Sequence, residues 1–346
     1  MSGRIAVGSD DQLLWNLHLS AFSLPALTAA DELGVFESLA AQPACATELA
    51  ERLRLNRRAM RALLPLLASE GLLVQRHGRY HLTDATRDHL LASSPQYWGP
   101  VLATVRSFPM SHARIVEAMT APEPDRWGAP VGHGPADGWI EGNIDRSMAT
   151  KIAAYMHANA VPSARVAAQR VDLSKAQRLL DVGAGSGVFA IAFAQANPHL
   201  SCTLMDLQTM CDVAMKDYVR ATEVAARIDA RAVDMFRQPL PQGYDTLFFS
   251  NIFHDWDFET GRMLAAKAFA ALPAGGRILL HEMLLDDTHD GPPVAVRFSF
   301  YMMLGTKGQQ FTAAELSELL FSAGFVHVQL TPCHGDFAVV AAEKPA

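Results

Sequence analysis

Apolar side chains return every third or fourth position near the start of the chain, at Leu13, Leu14, Leu17, Leu24, Leu27, Ala30, Leu33 and Phe36. That spacing predicts helices with one buried face. Thr47 to Leu53 reads as a short helix, Asn56 as the N-cap of a second helix running to Leu67, and Gly71 to Leu82 as a hairpin turning at His77-Gly78. Two helices followed by a hairpin make a winged helix-turn-helix pattern. From Ser93 to about Trp139 prolines and glycines punctuate the chain, and helical stretches at Val101 to Thr120 and Asn143 to Val171 bracket this loop. After Leu173 the period changes. Arg178 to Val182, Ser201 to Asp206, Asp229 to Asp234, Asp245 to Phe249 and Gly276 to Glu282 each read as a strand, with amphipathic segments between them. This alternation predicts an α/β domain built on a parallel, doubly wound sheet with helices on both faces. Two more strand candidates, Val326 to Leu330 and Phe337 to Ala342, follow a helix that begins near Thr312. The expected organisation is a mostly helical winged-helix domain over 1–100, a helical linker over 101–172, and the α/β domain over 173–346.

Composition narrows the class. Half of the 346 residues are hydrophobic and 19% are charged, enough for sizeable cores and incompatible with a wholly disordered chain. Lys plus Arg number 29 against 36 Asp plus Glu, a net charge of -7, which argues against a main role on nucleic acid or a membrane surface. Arg57, Arg58 and Arg61 lie on the helix that a DNA-binding protein would use for recognition. In the first hundred residues, however, nine Arg face ten acidic side chains, so packing or dimerisation is the favoured use of the winged helix. Cys45, Cys202, Cys211 and Cys333 form no CxxC pair, which suggests neither a disulfide framework nor a thiolate zinc site. Asp10 and Asp11 stand where a signal peptide needs apolar residues, and no apolar run reaches the ~18 residues of a membrane span. A soluble cytoplasmic protein is expected.

In a doubly wound sheet the ligand lies beyond the carboxyl ends of the strands. Asp181-Val-Gly183-Ala-Gly185-Ser-Gly187 follows the first strand and opens a helix, so its glycines permit a tight turn and close backbone approach by a ligand. A dinucleotide fingerprint would want its third glycine at 188, which is Val188. Asp206 ends the second strand at a suitable distance to accept hydrogen bonds from a ribose diol. At the third strand's end Asp234 could accept from an adenine amino group, and the apolar Met235 and Phe236 could pack on its ring. Three strand ends thus outline an adenosine site.

Taken together, these motifs and the winged helix resemble the S-adenosylmethionine-dependent O-methyltransferases of the plant caffeate type and their bacterial small-molecule relatives. The resemblance runs from the winged helix to the C-terminus. It implies a Rossmann-like class I methyltransferase domain behind an N-terminal winged-helix dimerisation domain, and hence a homodimer. The family's DxGxGxG motif stands at Asp181, Gly183, Gly185 and Gly187, its ribose acid at Asp206, and its adenine-contacting Asp-Met-Phe at Asp234, Met235 and Phe236, with Val233 replacing a common glycine. Leu207 and Ser250 are further donor contacts on this reading. Phe253-His-Asp-Trp256 resembles the family's Leu-His-Asp-Trp, in which the histidine is the catalytic base. His254 is therefore the expected base, Glu282 the carboxylate beside it, and Asp255 a residue near the sulfonium end of the donor.

The chemistry accounts for a histidine there. A phenol with a pKa of about 10 is a poor nucleophile while protonated, and an imidazole of pKa about 6.5 can take its proton near neutrality. The donor is already an activated sulfonium, so in-line positioning in a water-poor pocket suffices and no metal is required. One departure concerns the second carboxylate of many plant members. Here the segment reads Gly308-Gln-Gln-Phe-Thr312, and Gln310, which can orient the base but not neutralise it, falls where the acid would stand. His281 is given no role.

Met110, Trp127, Met156, Tyr301, Met302 and Met303, with Met148 and Phe298, are the candidate acceptor walls. Methionines suit a flat aromatic acceptor of secondary metabolism. Other readings are a metal-dependent catechol methyltransferase, for which a single His-Glu pair supplies poor oxygen coordination; a nicotinamide oxidoreductase, disfavoured by the glycine spacing; a DNA-binding regulator using the second domain as a sensor; and N- or C-methylation on the same fold.

Overall fold

The computed structural model describes residues 10–107, 111–120, 144–304 and 306–346. The chain divides into two compact units, 1–107 and 108–346. The first contains α1 (Gln12–Ser20), α2 (Ser23–Glu32), α3 (Val35–Ala41), α4 (Ala46–Leu53), α5 (Arg57–Ser69), the hairpin β1 (Leu73–Arg76) and β2 (Arg79–Leu82), α6 (Asp84–Leu90) and α7 (Gly99–Ser107). Asn56 caps α5, its side-chain oxygen accepting from the backbone N–H groups of Arg58 at 2.8 Å and Ala59 at 3.2 Å. His77 (φ 49°) and Gly78 (φ 75°) supply the two left-handed positions of a two-residue hairpin turn. The apolar stripes of α3, α4 and α5 meet in a core of Phe36, Leu39, Leu49, Leu64 and Leu67.

The N-terminal periodicity is realised only in part. Ala30 and Phe36 are buried, whereas α1 buries no residue at all, and Leu13, Leu14, Leu17, Leu24 and Leu33 are exposed. Leu13 is 68% exposed and Leu17 60%. The face expected to be buried on α1 meets no core of its own unit.

The second unit contains α8 (His112–Thr120), α9 (Arg146–Arg170), β3 (Arg178–Val182), α10 (Val188–Ala196), β4 (Ser201–Asp206), α11 (Gln208–Val213), β5 (Ile228–Ala232), β6 (Thr246–Ser250), α12 (Phe258–Ala271), β7 (Arg277–Leu285), α13 (Pro293–Met303), β8 (Phe311–Thr312), α14 (Ala313–Ser322), β9 (Val326–Pro332) and β10 (Phe337–Glu343). The strand order is β5-β4-β3-β6-β7-β10-β9, with β8 pairing β7. β3 to β7 are mutually parallel and β10 is antiparallel to both its neighbours. The sheet is therefore mixed, and the all-parallel expectation holds for its first five strands. Alternation along the strands separates two cores. Leu179, Phe248 and Leu279 face α9 and α10, while Leu180, Phe249 and Leu280 face α12 and α14. No helix among the described residues is long and apolar enough to cross a membrane.

Two strand ends differ from expectation in ways that matter for the site. β5 stops at Ala232, so Val233 to Phe236 form a loop beyond it and Asp234 lies past the strand end. β7 runs on to Leu285 because Met283 pairs with Phe337 and Leu284 with Phe311. Glu282 is consequently an interior strand residue with no exposure, not a strand-end carboxylate.

Candidate active site

One cavity opens at the carboxyl ends of β3, β4 and β6, and much of its floor is backbone. Gly183 and Gly185 sit in the left-handed region, at φ 70° and 55°. A Cβ on Gly183 would overlap the Ile252 side chain, and one on Gly185 would lie 3.1 Å from the Met156 sulfur. The turn is a cradle that only glycine leaves open. Gly187 (φ 76°) is the N-cap of α10, and a Cβ there would press on Leu204, so this glycine serves packing beneath the cradle and does not line the cavity.

Asp206 closes one side. Its two oxygens accept from the N–H groups of Gly185 at 2.9 Å and Leu207 at 2.7 Å, which fixes the carboxylate and leaves lone pairs for a ligand. Burial nevertheless raises it to about 6, and raises Asp181 to about 7. Asp234 accepts from the Phe236 and Arg237 N–H groups, and the Lys267 ammonium donates to the carbonyls of Met235, Phe236 and Gln238, pinning this loop to α12. Phe236 packs against Trp256 with ring centroids 4.3 Å apart. A flat apolar wall beside a fixed carboxylate suits a purine.

His254 lies at the far side of the same cavity, on a single turn, Phe253–Asp255. Its position is set from behind. Glu282 Oε1 accepts from the N–H groups of Ile252 at 3.1 Å and Phe253 at 2.9 Å, while Oε2 lies 3.4 Å from His254 Nδ1. Gln310, also fully buried, brings its amide nitrogen to 3.0 Å from that same Nδ1. Nε2 is turned the other way, 3.6 Å from Asp255 Oδ1 on the cavity wall. Phe298 meets the imidazole edge-on at 5.3 Å. Burial pushes Glu282 up to about 8 and Asp255 up to about 7. Glu282 Oε2 and the Gln310 side-chain oxygen are both buried with no hydrogen-bond partner among the described residues, so unspent acceptor capacity surrounds Nδ1.

Most of the residues singled out from sequence converge here. Asp181, Gly183, Gly185, Asp206, Leu207, Asp234, Met235, Phe236, Ser250, His254, Asp255, Met156, Phe298, Tyr301 and Met302 line this cavity. Glu282 and Gly187 stand behind it. Met303 is corrected: one position along α13 from Met302, it turns outward and lines a separate depression with Ser299 and Phe300. Met148 packs instead with Ile144, Ile152 and Met210. Met110 and Trp127 lie outside the described residues. Sequence reasoning missed Tyr155 and Asn159, which line the cavity one helical turn apart on α9, and Asn251 (φ 53°) next to Ser250. The signal for the first two was a polar i, i+4 pair in an otherwise alanine-rich helix.

The sheet order and the cradle at its carboxyl edge define a Rossmann-like class I methyltransferase. A model of the O-methyltransferase domain matches residues 120–326, and one of the O-methyltransferase dimerisation domain matches residues 15–92. The chain belongs to this family of S-adenosylmethionine-dependent O-methyltransferases. It is 37% identical over 325 residues to the 3-hydroxy-5-methyl-1-naphthoate 3-O-methyltransferase of Streptomyces sahachiroi, covering 92% of this chain and 90% of that one. It is 25% identical over 334 residues to the S-adenosyl-L-methionine-dependent methyl transferase PigF of Serratia sp., covering 95% of this chain and 94% of that one. The structure of PigF with SAH has a TM-score of 0.78 at 27% identity, covering 97% of this chain and 100% of the other. Human N-acetylserotonin methyltransferase in complex with SAM shares the fold, with a TM-score of 0.82 at 24% identity over 99% and 100% of the two chains.

One glycine tests the placement of His254. A Cβ on Gly308 would overlap the carbonyl oxygen of His254, so the backbone of the Gly308 segment lies directly against the His254 turn. Backbone on both sides cannot yield as a flexible side chain would. Gly308→Ala is expected to displace His254 and lower kcat by at least ~10-fold, the scale of a misplacement near 1 Å, while calorimetry finds S-adenosylhomocysteine affinity within about twofold of the parent.

Proposed function

We propose that the protein transfers the methyl group of S-adenosylmethionine to a hydroxyl of a small aromatic metabolite, with His254 as general base. The observation that carries this reading is the orientation of one ring: His254 presents Nε2 to the cavity that holds the glycine cradle, and Nδ1 to a buried carboxylate. Donor and base then act on one acceptor oxygen from opposite sides. Asp206 holds the ribose, Asp234, Met235 and Phe236 the adenine, and the turn from Asp181 to Gly185 with Leu207 and Ser250 the rest of the donor. Tyr155, Met156, Phe298, Tyr301 and Met302 form the acceptor wall. The naphthoate named for the relative from Streptomyces sahachiroi supports a fused aromatic acceptor of this size.

Proton bookkeeping at the pair fixes the pH response. Nε2 is a base only when bare, which places the ring proton on Nδ1, facing an acceptor. An ionised Glu282 supplies that acceptor and also stabilises the imidazolium formed as the hydroxyl proton arrives. Gln310 stands with its amide nitrogen toward Nδ1 and its oxygen unpartnered among the described residues. A ring proton on Nδ1 requires the amide turned over, an exchange of two near-equivalent ends that gives the orphaned oxygen a donor and adds an uncharged second acceptor. Because burial raises the Glu282 carboxyl to about 8, the pair loses its shared proton, and becomes competent, as pH rises through that region. The rate on an acceptor whose hydroxyl is still un-ionised is expected to rise from pH 6 to about 9. His254→Gln is expected to lower kcat by ~10² to 10⁴ and to flatten this profile, with donor affinity nearly unchanged. Labelled donor and a panel of hydroxyaromatics supply the assay. A variant that keeps most of the parent rate, with chemistry limiting, removes His254 as the base.

A homodimer follows from the match to the dimerisation domain and the exposed row on α1. Leu13, Leu14, Leu17 and Trp15 on one short helix form the kind of apolar surface that a second copy covers. Light scattering at micromolar protein is expected to give twice the chain mass. Leu13→Asp with Leu17→Asp is expected to shift that mass toward the monomer, and a parent mass of one chain contradicts the assignment.

A further inference from the structure

His281 has no exposure, lies in the middle of β7, and is not part of the proton pathway described above. Its ring is stacked on Phe337, with centroids 4.9 Å apart and planes 5° from parallel, and meets Phe189 at 4.7 Å. Both nitrogens are nonetheless engaged. Nε2 lies 2.7 Å from the hydroxyl of Ser163 on α9, and Nδ1 lies 2.9 Å from the hydroxyl of Ser250 at the end of β6. Ser250 lines the donor cavity, and Ser163 is buried behind the sheet.

The direction of these two hydrogen bonds is decided by counting protons. Burial pushes His281 down to about 3, so the ring is neutral at working pH and offers one donor and one acceptor. Ser163 has no other hydrogen-bond partner among the described residues, and a buried O–H without an acceptor is costly. Ser163 therefore donates to Nε2. The ring proton is left on Nδ1, which donates to the Ser250 oxygen. With that lone pair occupied, the Ser250 O–H has no acceptor among the described residues and is left to point its proton at whatever fills the cavity.

We propose that Ser163 and His281 form a buried relay that fixes Ser250 as a hydrogen-bond donor to the carboxylate at the amino-acid end of the methyl donor. The proposal rests on the donor site assigned above and extends it to two residues that do not touch the donor. Across the sheet Ser250 pairs with His281, and Val182 pairs with Phe249, so Ser250 stands beside the first glycine of the cradle. The loop of Asp234 to Phe236 follows β5, three strands from β6 in the order β5-β4-β3-β6, so the amino-acid part is assigned to the β6 side. An oxygen that already accepts from Nδ1–H makes a better donor, because hydrogen bonds in a chain polarise one another. Ser163 and His281 are positioning residues, and Ser250 is the contact.

Calorimetry on the full chain with two ligands separates the relay from general effects on the pocket. S-adenosylhomocysteine carries the carboxylate, and 5′-methylthioadenosine lacks the whole amino-acid end. Ser250→Ala is expected to weaken S-adenosylhomocysteine about tenfold, the scale of a hydrogen bond to a charged group, and to leave methylthioadenosine within twofold. Ser250→Thr is expected to restore the affinity. Nitrogen-15 NMR of the parent is expected to show His281 protonated at Nδ1 and bare at Nε2. In Ser163→Ala, whose substitution lies outside the cavity, a mixture of tautomers and a loss of about threefold for S-adenosylhomocysteine alone are expected. Parent protein protonated at Nε2, or equal losses for both ligands in Ser250→Ala, overturns the relay. Parent protein that binds neither ligand overturns the donor-site reading beneath it.

Discussion

A carboxylate without solvent, Glu282, holds the segment on which the catalytic proposal turns. One of its oxygens accepts from two consecutive backbone N–H groups, those of Ile252 and Phe253, and the other faces Nδ1 of the residue that follows. This side chain therefore holds the backbone on which His254 sits and, together with Gln310, the way its ring is turned. Burying such a group is expensive, and burial, with Asp255 adding to it, keeps its carboxyl up at about 8. The two backbone bonds offset part of that cost. In the proposed reaction the charge that arrives on the imidazole during proton removal offsets more, and only at the moment it is needed, so the buried carboxylate would favour the transition state over the resting site.

The surrounding fold can be read as support for that arrangement. β7 carries Glu282 in its interior because pairing with β10 and β8 continues past it. Gln310 comes to Nδ1 from the segment just before β8, and Gly308 lets that segment lie against the His254 turn without a side chain between. On the donor side, two left-handed glycines and Asp206 build the cradle largely from backbone. Both halves of the site thus hang on strands of one rigid sheet, which keeps reacting atoms in register to the fraction of an ångström that methyl transfer between two bound molecules demands.

Much of this was legible in the sequence because it is local. The strands Arg178–Val182 and Ser201–Asp206, the cap at Asn56 and the turn at His77-Gly78 follow from short-range pattern and turn chemistry, and each stands where that pattern puts it. The cavity residues that belong to motifs at strand ends were found for the same reason. What escaped depends on partners distant in sequence. The extension of β7 needs β8 and β10, and with it the burial of Glu282. The sidedness of Met302 and Met303 depends on how α13 lies on β7, which a one-residue difference in sequence cannot reveal. The stripe on α1 carries the right period but meets no core in its own unit, since periodicity says that a face will be covered and not by what. His281 looked inert because its two hydroxyl partners are 31 and 118 positions away.

The substitution Glu282→Gln puts the central claim to the most direct test, because it changes the chemistry at constant shape. The amide oxygen takes over acceptance from the Ile252 and Phe253 N–H groups, and its NH₂ then faces His254 Nδ1. An N–H donor there leaves Nδ1 bare and moves the ring proton to Nε2, so the ring can no longer accept the hydroxyl proton. The measurement is single-turnover methyl transfer from bound S-adenosylmethionine across pH 6 to 9, with circular dichroism and donor affinity as controls. The account predicts unchanged fold and donor affinity, a rate lower by ~10² to 10⁴, and no rise through pH 8. A rate within about threefold of the parent, with the same pH profile, contradicts it.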